Sequence, residues 1–329
     1  SSIQRAPRTL GVRIEARAGI GCVPREAREA PPPPPPRQAV RGLLQRAGGG
    51  PIVHFMRRLR PLPLSLLLLL AAAPASAQDT GLLAVCSDPD ATPQQAARFC
   101  NRALEAGGLS PQETARTAAN LGAALLAMDR PEQAEDAYDR ALAADGSLAL
   151  AWAGRARARE AQDRTPQAAV DWNRAVGLTP RDPDILTGRG AFRLRAGNFA
   201  GALADFESAQ RRRPNDMGVA FNRGLALAAL GRDAEAERMF TTVLRNDPSD
   251  AGAWLNRARL RVSRDRAAAL SDLDEAVARA EGWSTPWFER GLLLDAMGRK
   301  AAADRDFRRA WELGHRNEFL NARMLELGR

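Results

Sequence analysis

Proline recurs at Pro180, Pro214 and Pro248, and the interval is 34 residues each time. A fixed period of this length turns one local pattern into an architecture, because each unit of the repeat must adopt the same local structure. The unit is clearest from Met217 to Asp250, MGVAFNRGLALAALGRDAEAERMFTTVLRNDPSD. Apolar residues recur at helical spacing on both sides of Gly231, and Pro248 closes the segment. The pattern reads as two helices joined by a tight turn.

Applied along the chain, the period gives six units: 115–148, 149–182, 183–216, 217–250, 251–283 and 284–317, the fifth one residue short near Asp265. The first helix of each unit, helix A, carries a small residue at its eighth position: Gly122, Ala156, Gly190, Gly224, Ala258 and Gly291. The second, helix B, carries Ala134, Ala168, Ala202, Ala236, Ala269 or Ala303 where it crosses helix A. Two antiparallel helices approach closely only where side chains are small. Four positions on, Tyr138, Trp172, Phe206, Phe240, Leu273 and Phe307 fill the space beside the crossing. Gly197, Gly231 and Gly298, with Asp129 and Asp163, fall in the turns between A and B. The expected class is all-α, with each hairpin burying its apolar face on its neighbours.

This order of aromatic, small, small, aromatic, small and proline resembles the tetratricopeptide repeat. The resemblance implies a right-handed α-solenoid of six helix–turn–helix units with helical caps, residues 115–317 forming the array. It also implies that the A helices line a concave groove that holds a protein or peptide segment. The family's ligand-contacting positions fall here on Asn120, Arg157, Glu160, Thr187 and Arg195 toward the front. Toward the back they fall on Phe221, Asn222, Leu225, Leu255, Asn256, Arg259, Phe288 and Leu292. Apolar anchors beside amide groups suit an extended or helical peptide. The other reading is that these rings pack on neighbouring units and the groove stays empty. A carboxylate clamp of the family's type uses Lys, and the only Lys of the chain is Lys300.

One regularity departs from the family pattern. The seventh position, usually apolar, is Arg in five units: Arg155, Arg189, Arg223, Arg257 and Arg290. In four of those units the residue before the helix B aromatic is Asp: Asp171, Asp205, Asp272 and Asp306. In the first unit both positions are apolar, Leu121 and Ala137. The paired change predicts an ion pair within each unit, Arg155–Asp171, Arg189–Asp205, Arg257–Asp272 and Arg290–Asp306. Arg223 faces Met239 instead and is left to find another partner. The functional alternative is a row of Arg that captures acidic ligands.

Charge excludes one partner class. The net charge is +9, yet residues 1–55 hold nine Arg and three Glu, and residues 56–77 add three Arg with no acid. The remaining residues balance at 36 basic and 36 acidic, so the repeat region lacks the one-sided excess of a nucleic-acid binder. His315 is the only histidine of that region, and as a lone turn residue it is given no role. With no clustered carboxylates or metal-ligating set, the reading is a non-enzymatic protein without metal or small-molecule cofactor.

The upstream sequence reads differently. Residues 1–55, with the Pro31–Pro36 run, show no apolar periodicity and read as a disordered segment upstream of the translated start. From Met56, a basic start at Arg57–Arg60, an apolar run from Leu64 to Ala73 and Ala75-Ser76-Ala77 form a secretory signal, 56–77, cleaved near Ala77. The run is about half the roughly twenty residues that span a bilayer, so no stable anchor is expected. The mature protein is expected to be periplasmic.

Export allows Cys86 and Cys100 to pair in residues 78–114, the expected N-terminal cap. The segment from Thr92 to Gly107 reads as a helix B without a preceding helix A, over which a disulfide would fold the upstream chain. Such a head resembles those of exported bacterial tetratricopeptide repeat proteins; two unpaired buried thiols are the alternative. Residues 318–329 read as a C-terminal capping helix. Function is then expected to be an exported scaffold in cell-envelope assembly or maintenance, with a self-associating structural oligomer as the rival.

Overall fold

The computed structural model describes residues 76–328; the upstream segment and residues 56–75 of the signal lie outside the described residues. All secondary structure in the described part is helical. The chain runs through α1 (Ser76–Cys86), α2 (Pro93–Ala106), α3 (Pro111–Ala127), α4 (Pro131–Ala144), α5 (Ala149–Ala161), α6 (Thr165–Leu178), α7 (Pro183–Arg195) and α8 (Phe199–Arg212). It continues through α9 (Met217–Ala229), α10 (Asp233–Asn246), α11 (Ala251–Arg261), α12 (Arg266–Arg279), α13 (Ser284–Ala296), α14 (Lys300–Glu312) and α15 (Glu318–Glu326). Two compact units divide at Leu270, within α12.

In the unit ending at Ala269, successive helices form antiparallel hairpins, α3 with α4, α5 with α6, α7 with α8 and α9 with α10. Their starts are written locally. Thr92 with Gln95 and Ser110 with Glu113 form capping boxes at α2 and α3, each followed by proline at the first helical position. Asp182, Asp216 and Asp250 cap α7, α9 and α11 by accepting backbone N–H groups. The A-to-B turns need a left-handed residue. Gly197 and Gly231 supply it at φ 78° and 72°, while Asp129 and Asp163 adopt φ 57° and 58° in the corresponding turns.

The crossing alanines Ala134, Ala168, Ala202 and Ala236 are fully buried. Tyr138 shows how the stack closes. A Cβ on Gly122 of its own unit would lie 2.8 Å from the ring, and one on Gly154 of the next unit only 2.2 Å. The ring is therefore clasped between two units, and Trp172 repeats the arrangement against Gly188 at 2.4 Å.

The head differs from the expected form. The chain before Cys86 does lie over α2, but as the helix α1, where the sequence reading has no helix. Half-buried Leu82 and Val85 and buried Cys86 fall at helical spacing and give it an apolar face. Cys86 and Cys100 lie at disulfide distance, with Cα atoms 4.8 Å apart.

In the unit from Leu270 onward, α13 and α14 form a hairpin and α15 covers its end. Leu320 and Met324 of α15 are buried with Phe307, Ala303 and Ala310. Arg323 ties α15 to α14 through Asp304 at 2.8 Å.

Candidate binding face and the arginines that support it

Three of the seventh-position arginines, Arg155, Arg189 and Arg290, each link three helices. Arg155 of α5 donates from Nε to Asp171 Oδ2 at 2.9 Å and from Nη2 to Oδ1 at 2.8 Å, both on α6. Its Nη1 donates back to Asp139 of α4 at 2.6 Å. Arg189 repeats this with Asp205 at 2.9 and 2.7 Å and Asn173 at 3.2 Å. Arg290 does so with Asp306 at 2.7 and 2.9 Å and Asp274 at 2.8 Å. Each Arg thus reaches the residue sixteen places after it and the one sixteen places before. Arg257 reaches Thr241 at 3.2 Å in the same backward sense. Its predicted pairing with Asp272 falls across the division at Leu270 and stays an expectation.

The carboxylates are buried: Asp171, Asp205 and Asp306 are all under 5 % exposed. A buried charge is tolerated only when paired and hydrogen-bonded. Asp171 and Asp205 receive a second cation, Arg159 and Arg193, each at 2.8 Å. The hydrogen bond to Asp171 raises the pKa of Arg155, fixing its positive charge. Trp152 and Trp287 lie under the guanidiniums of Arg155 and Arg290, 4.7 and 4.9 Å to the ring centroid.

Arg223 differs because Met239 stands where the other units place Asp. It keeps the backward contact, donating to Glu207 sixteen places before it at 3.3 Å, and adds Gln210 at 3.0 Å. Its Nε is buried without a hydrogen-bond partner, the one such side-chain nitrogen or oxygen among the described residues.

A second polar cluster escaped the sequence reading. Glu135, 8 % exposed, accepts from Arg159 at 2.8 Å, Gln162 at 2.9 Å and Arg164 at 2.5 Å. Burial works against its anion, but the bonds from Arg159 and Gln162 outweigh that and hold its pKa below normal. Glu237 accepts from Arg261 at 2.7 Å and from Arg264 in the same way. The signal available was spacing: both Glu residues precede their first Arg by 24 positions.

The A helices α3, α5, α7, α9 and α11 touch in succession, so their outer residues share one face. On α9, Phe221, Asn222 and Leu225 are half-buried, and Phe221 packs edge-on to Phe240 at 5.5 Å. Arg157 on α5 and Arg195 on α7 are exposed. Arg195 pairs with Glu160, which also accepts from Trp172 Nε1 at 2.6 Å. Arg157 stands 5.8 Å from the Trp172 ring. On α11 the picture changes: Leu255 is 1 % exposed and offers no surface. Asn256 donates to its own helix at Gly252 O, 2.8 Å, and accepts from exposed Arg259 at 3.3 Å. Phe288 and Leu292 belong to the other unit. There Leu292 is exposed, and Phe288 stacks on His315 with centroids 4.4 Å apart.

Among the described residues no group of three or more His, Cys, Asp or Glu is placed to hold a metal ion. No described helix is long and apolar enough to cross a membrane.

Stacked antiparallel hairpins with crossing alanines and a continuous A-helix face define a helical-repeat solenoid. The chain carries tetratricopeptide repeats: tetratricopeptide repeat models match residues 120–183 and 193–260. A tetratricopeptide repeat protein from Parabacteroides merdae ATCC 43184 superposes with a TM-score of 0.58 at 20% identity, covering 76% of this chain and 96% of that one. Pseudomonas aeruginosa PilF does so at 0.58 and 19%, covering 66% and 100%. PilW, a widely conserved type IV pilus biogenesis factor, gives 0.59 and 20%, covering 63% and 97%. At these identities the likeness is one of fold. No curated protein sequence matches the chain.

Proposed function

We propose that this protein is an exported, non-enzymatic scaffold that holds a protein or peptide segment against its A-helix face, in cell-envelope assembly or maintenance. The observation that carries the reading is the composition of that face. Half-exposed Phe221, Asn222 and Leu225 on α9 share it with exposed Arg157 and Arg195 on α5 and α7. Apolar anchors with a free amide nearby supply contact area and backbone hydrogen bonds, and the arginines supply charge contacts at the rim. Beneath, Arg155, Arg159 and Arg189 tie each hairpin to the one before it through Asp139, Glu135 and Asn173. Export is supported by the signal-like sequence from Met56 and by Cys86 and Cys100 at disulfide distance.

The test is a pull-down from envelope extract with the mature chain and an Asn222→Ala, Leu225→Asp variant of unchanged thermal stability. The reading requires a protein retained by the wild type and lost by the variant. Equal recovery of every protein by both chains contradicts it.

A further inference from the structure

His315, in the turn between α14 and α15, is half-buried, and its ring lies on Phe288 with planes 22° apart. Its Nε2 is 3.1 Å from Asn317 Nδ2, and its Nδ1 is 3.5 Å from Ser284 Oγ. Asn317 is also the N-cap of α15, its Oδ1 accepting the Leu320 N–H at 2.8 Å. A backbone N–H can only donate, so the atom it meets must be the amide oxygen. The amide nitrogen is then what faces His315, and the imidazole nitrogen opposite it must be bare. The ring proton accordingly sits on Nδ1, toward Ser284.

We propose that His315 is a proton-operated latch on α15. When neutral it holds Asn317 in its capping orientation. When protonated, its Nε2–H opposes the Asn317 amino group and competes with the Leu320 N–H for the amide oxygen. One of the two contacts must then be given up, and the cap helix opens more often. Opening frees Leu320 and Met324, both at most 1 % exposed, from the Phe307 cluster. An apolar surface is thereby exposed in acid and covered at neutral pH.

The charged groups around the ring are few. Glu289 of α13 favours the cation, and Arg316 in the same turn opposes it. On α14, Glu312 is held by Arg309 at 3.6 Å, and α15 brings Glu318 in its first turn. Burial is the largest influence and holds the His315 pKa below its ordinary value. A base depressed on docking gives stability that is complete above its undocked value, about 6.5, and declines as pH falls below it.

The experiment is hydrogen–deuterium exchange of the full chain from pH 7.5 to 5.0, corrected for intrinsic rates, comparing α15 with α13. Protection of α15 is expected to fall by up to about tenfold per pH unit below pH 6.5. His315→Gln removes that dependence. Asn317→Asp keeps an acceptor for Leu320 and attracts the imidazolium, so its dependence reverses, α15 becoming better protected in acid. A His315→Gln chain that retains the wild-type slope, or an Asn317→Asp chain that loosens in acid as the wild type does, overturns the proposal.

Discussion

Arg155 holds Asp171 through both carboxylate oxygens, at 2.9 and 2.8 Å, although Asp171 is 1 % exposed. An apolar pair at these positions, as at Leu121 and Ala137 in the first unit, avoids desolvating two charges. What the apolar pair lacks is reach. The guanidinium has a third contact, Asp139 of the preceding hairpin, so one side chain fixes three helices. Arg189 and Arg290 repeat it, which makes the arrangement a property of the repeat.

Removing the buried acid should cost far more than removing the exposed one. Asp171→Ala leaves Arg155 and Arg159 without their shared partner. The expected loss is about 3 kcal/mol, the low end for a broken buried pair, because Asp139 and Glu135 still engage them. Asp139→Ala, whose side chain is 50% exposed, should cost under about 1 kcal/mol. Urea unfolding followed by circular dichroism checks the contrast.

Met239→Asp gives the orphaned Nε of Arg223 an acceptor. It should stabilise the α9–α10 hairpin by about 1 kcal/mol at pH 7. A paired carboxylate has a lowered pKa in the folded state, so the gain should be complete above the unfolded value of about 3.9 and disappear as pH falls below it. Thermal melts of the variant and wild type between pH 7 and 3 read this directly.

Gly154→Ala should be among the most damaging single changes. Its Cβ would lie 2.2 Å from Tyr138 Cζ, and the ring, already against Gly122, has no direction in which to yield. The expected cost is about 3 kcal/mol, the upper part of the range for overpacking. Gly177→Ala, whose added Cβ meets nothing within 4 Å, serves as the control in the same melts.

The same clasp predicts an unusual titration. Burial pushes the Tyr138 pKa up to about 12, against a smaller opposing pull from Arg157. As Tyr138 is the only tyrosine of the chain, absorbance at alkaline pH reports it alone. A raised tyrosine pKa means stability that is full below the unfolded value of about 10 and lost as pH rises toward 12. Ionisation near pH 10 with the fold intact would show the ring to be solvated.

Much of this fold is written in the 34-residue interval, because crossing alanines, turn residues and aromatics each recur at fixed offsets. The helix α1 was not legible, since its few apolar residues adjoin a stretch that reads as a secretory signal. The backward contact of each Arg was hidden for a different reason. Its partner changes through Asp139, Asn173, Glu207, Thr241 and Asp274, any of which accepts a hydrogen bond, so no single residue type marks the position. On the candidate face, position alone does not fix exposure. The fifth position leaves Phe221 and Phe288 half-exposed but covers the shorter Leu255. His315 carries no role in the sequence because its stacking partner, Phe288, lies 27 positions back, beyond any local pattern.

The A-helix face is the surface proposed to meet a partner. A photo-crosslinking benzophenone side chain placed at Asn222, and separately at exposed Arg238 on α10, tests this in the living cell. A discrete heavier adduct is expected from position 222 and none from 238. The same adduct from both positions, or adducts from 238 alone, would contradict that proposal.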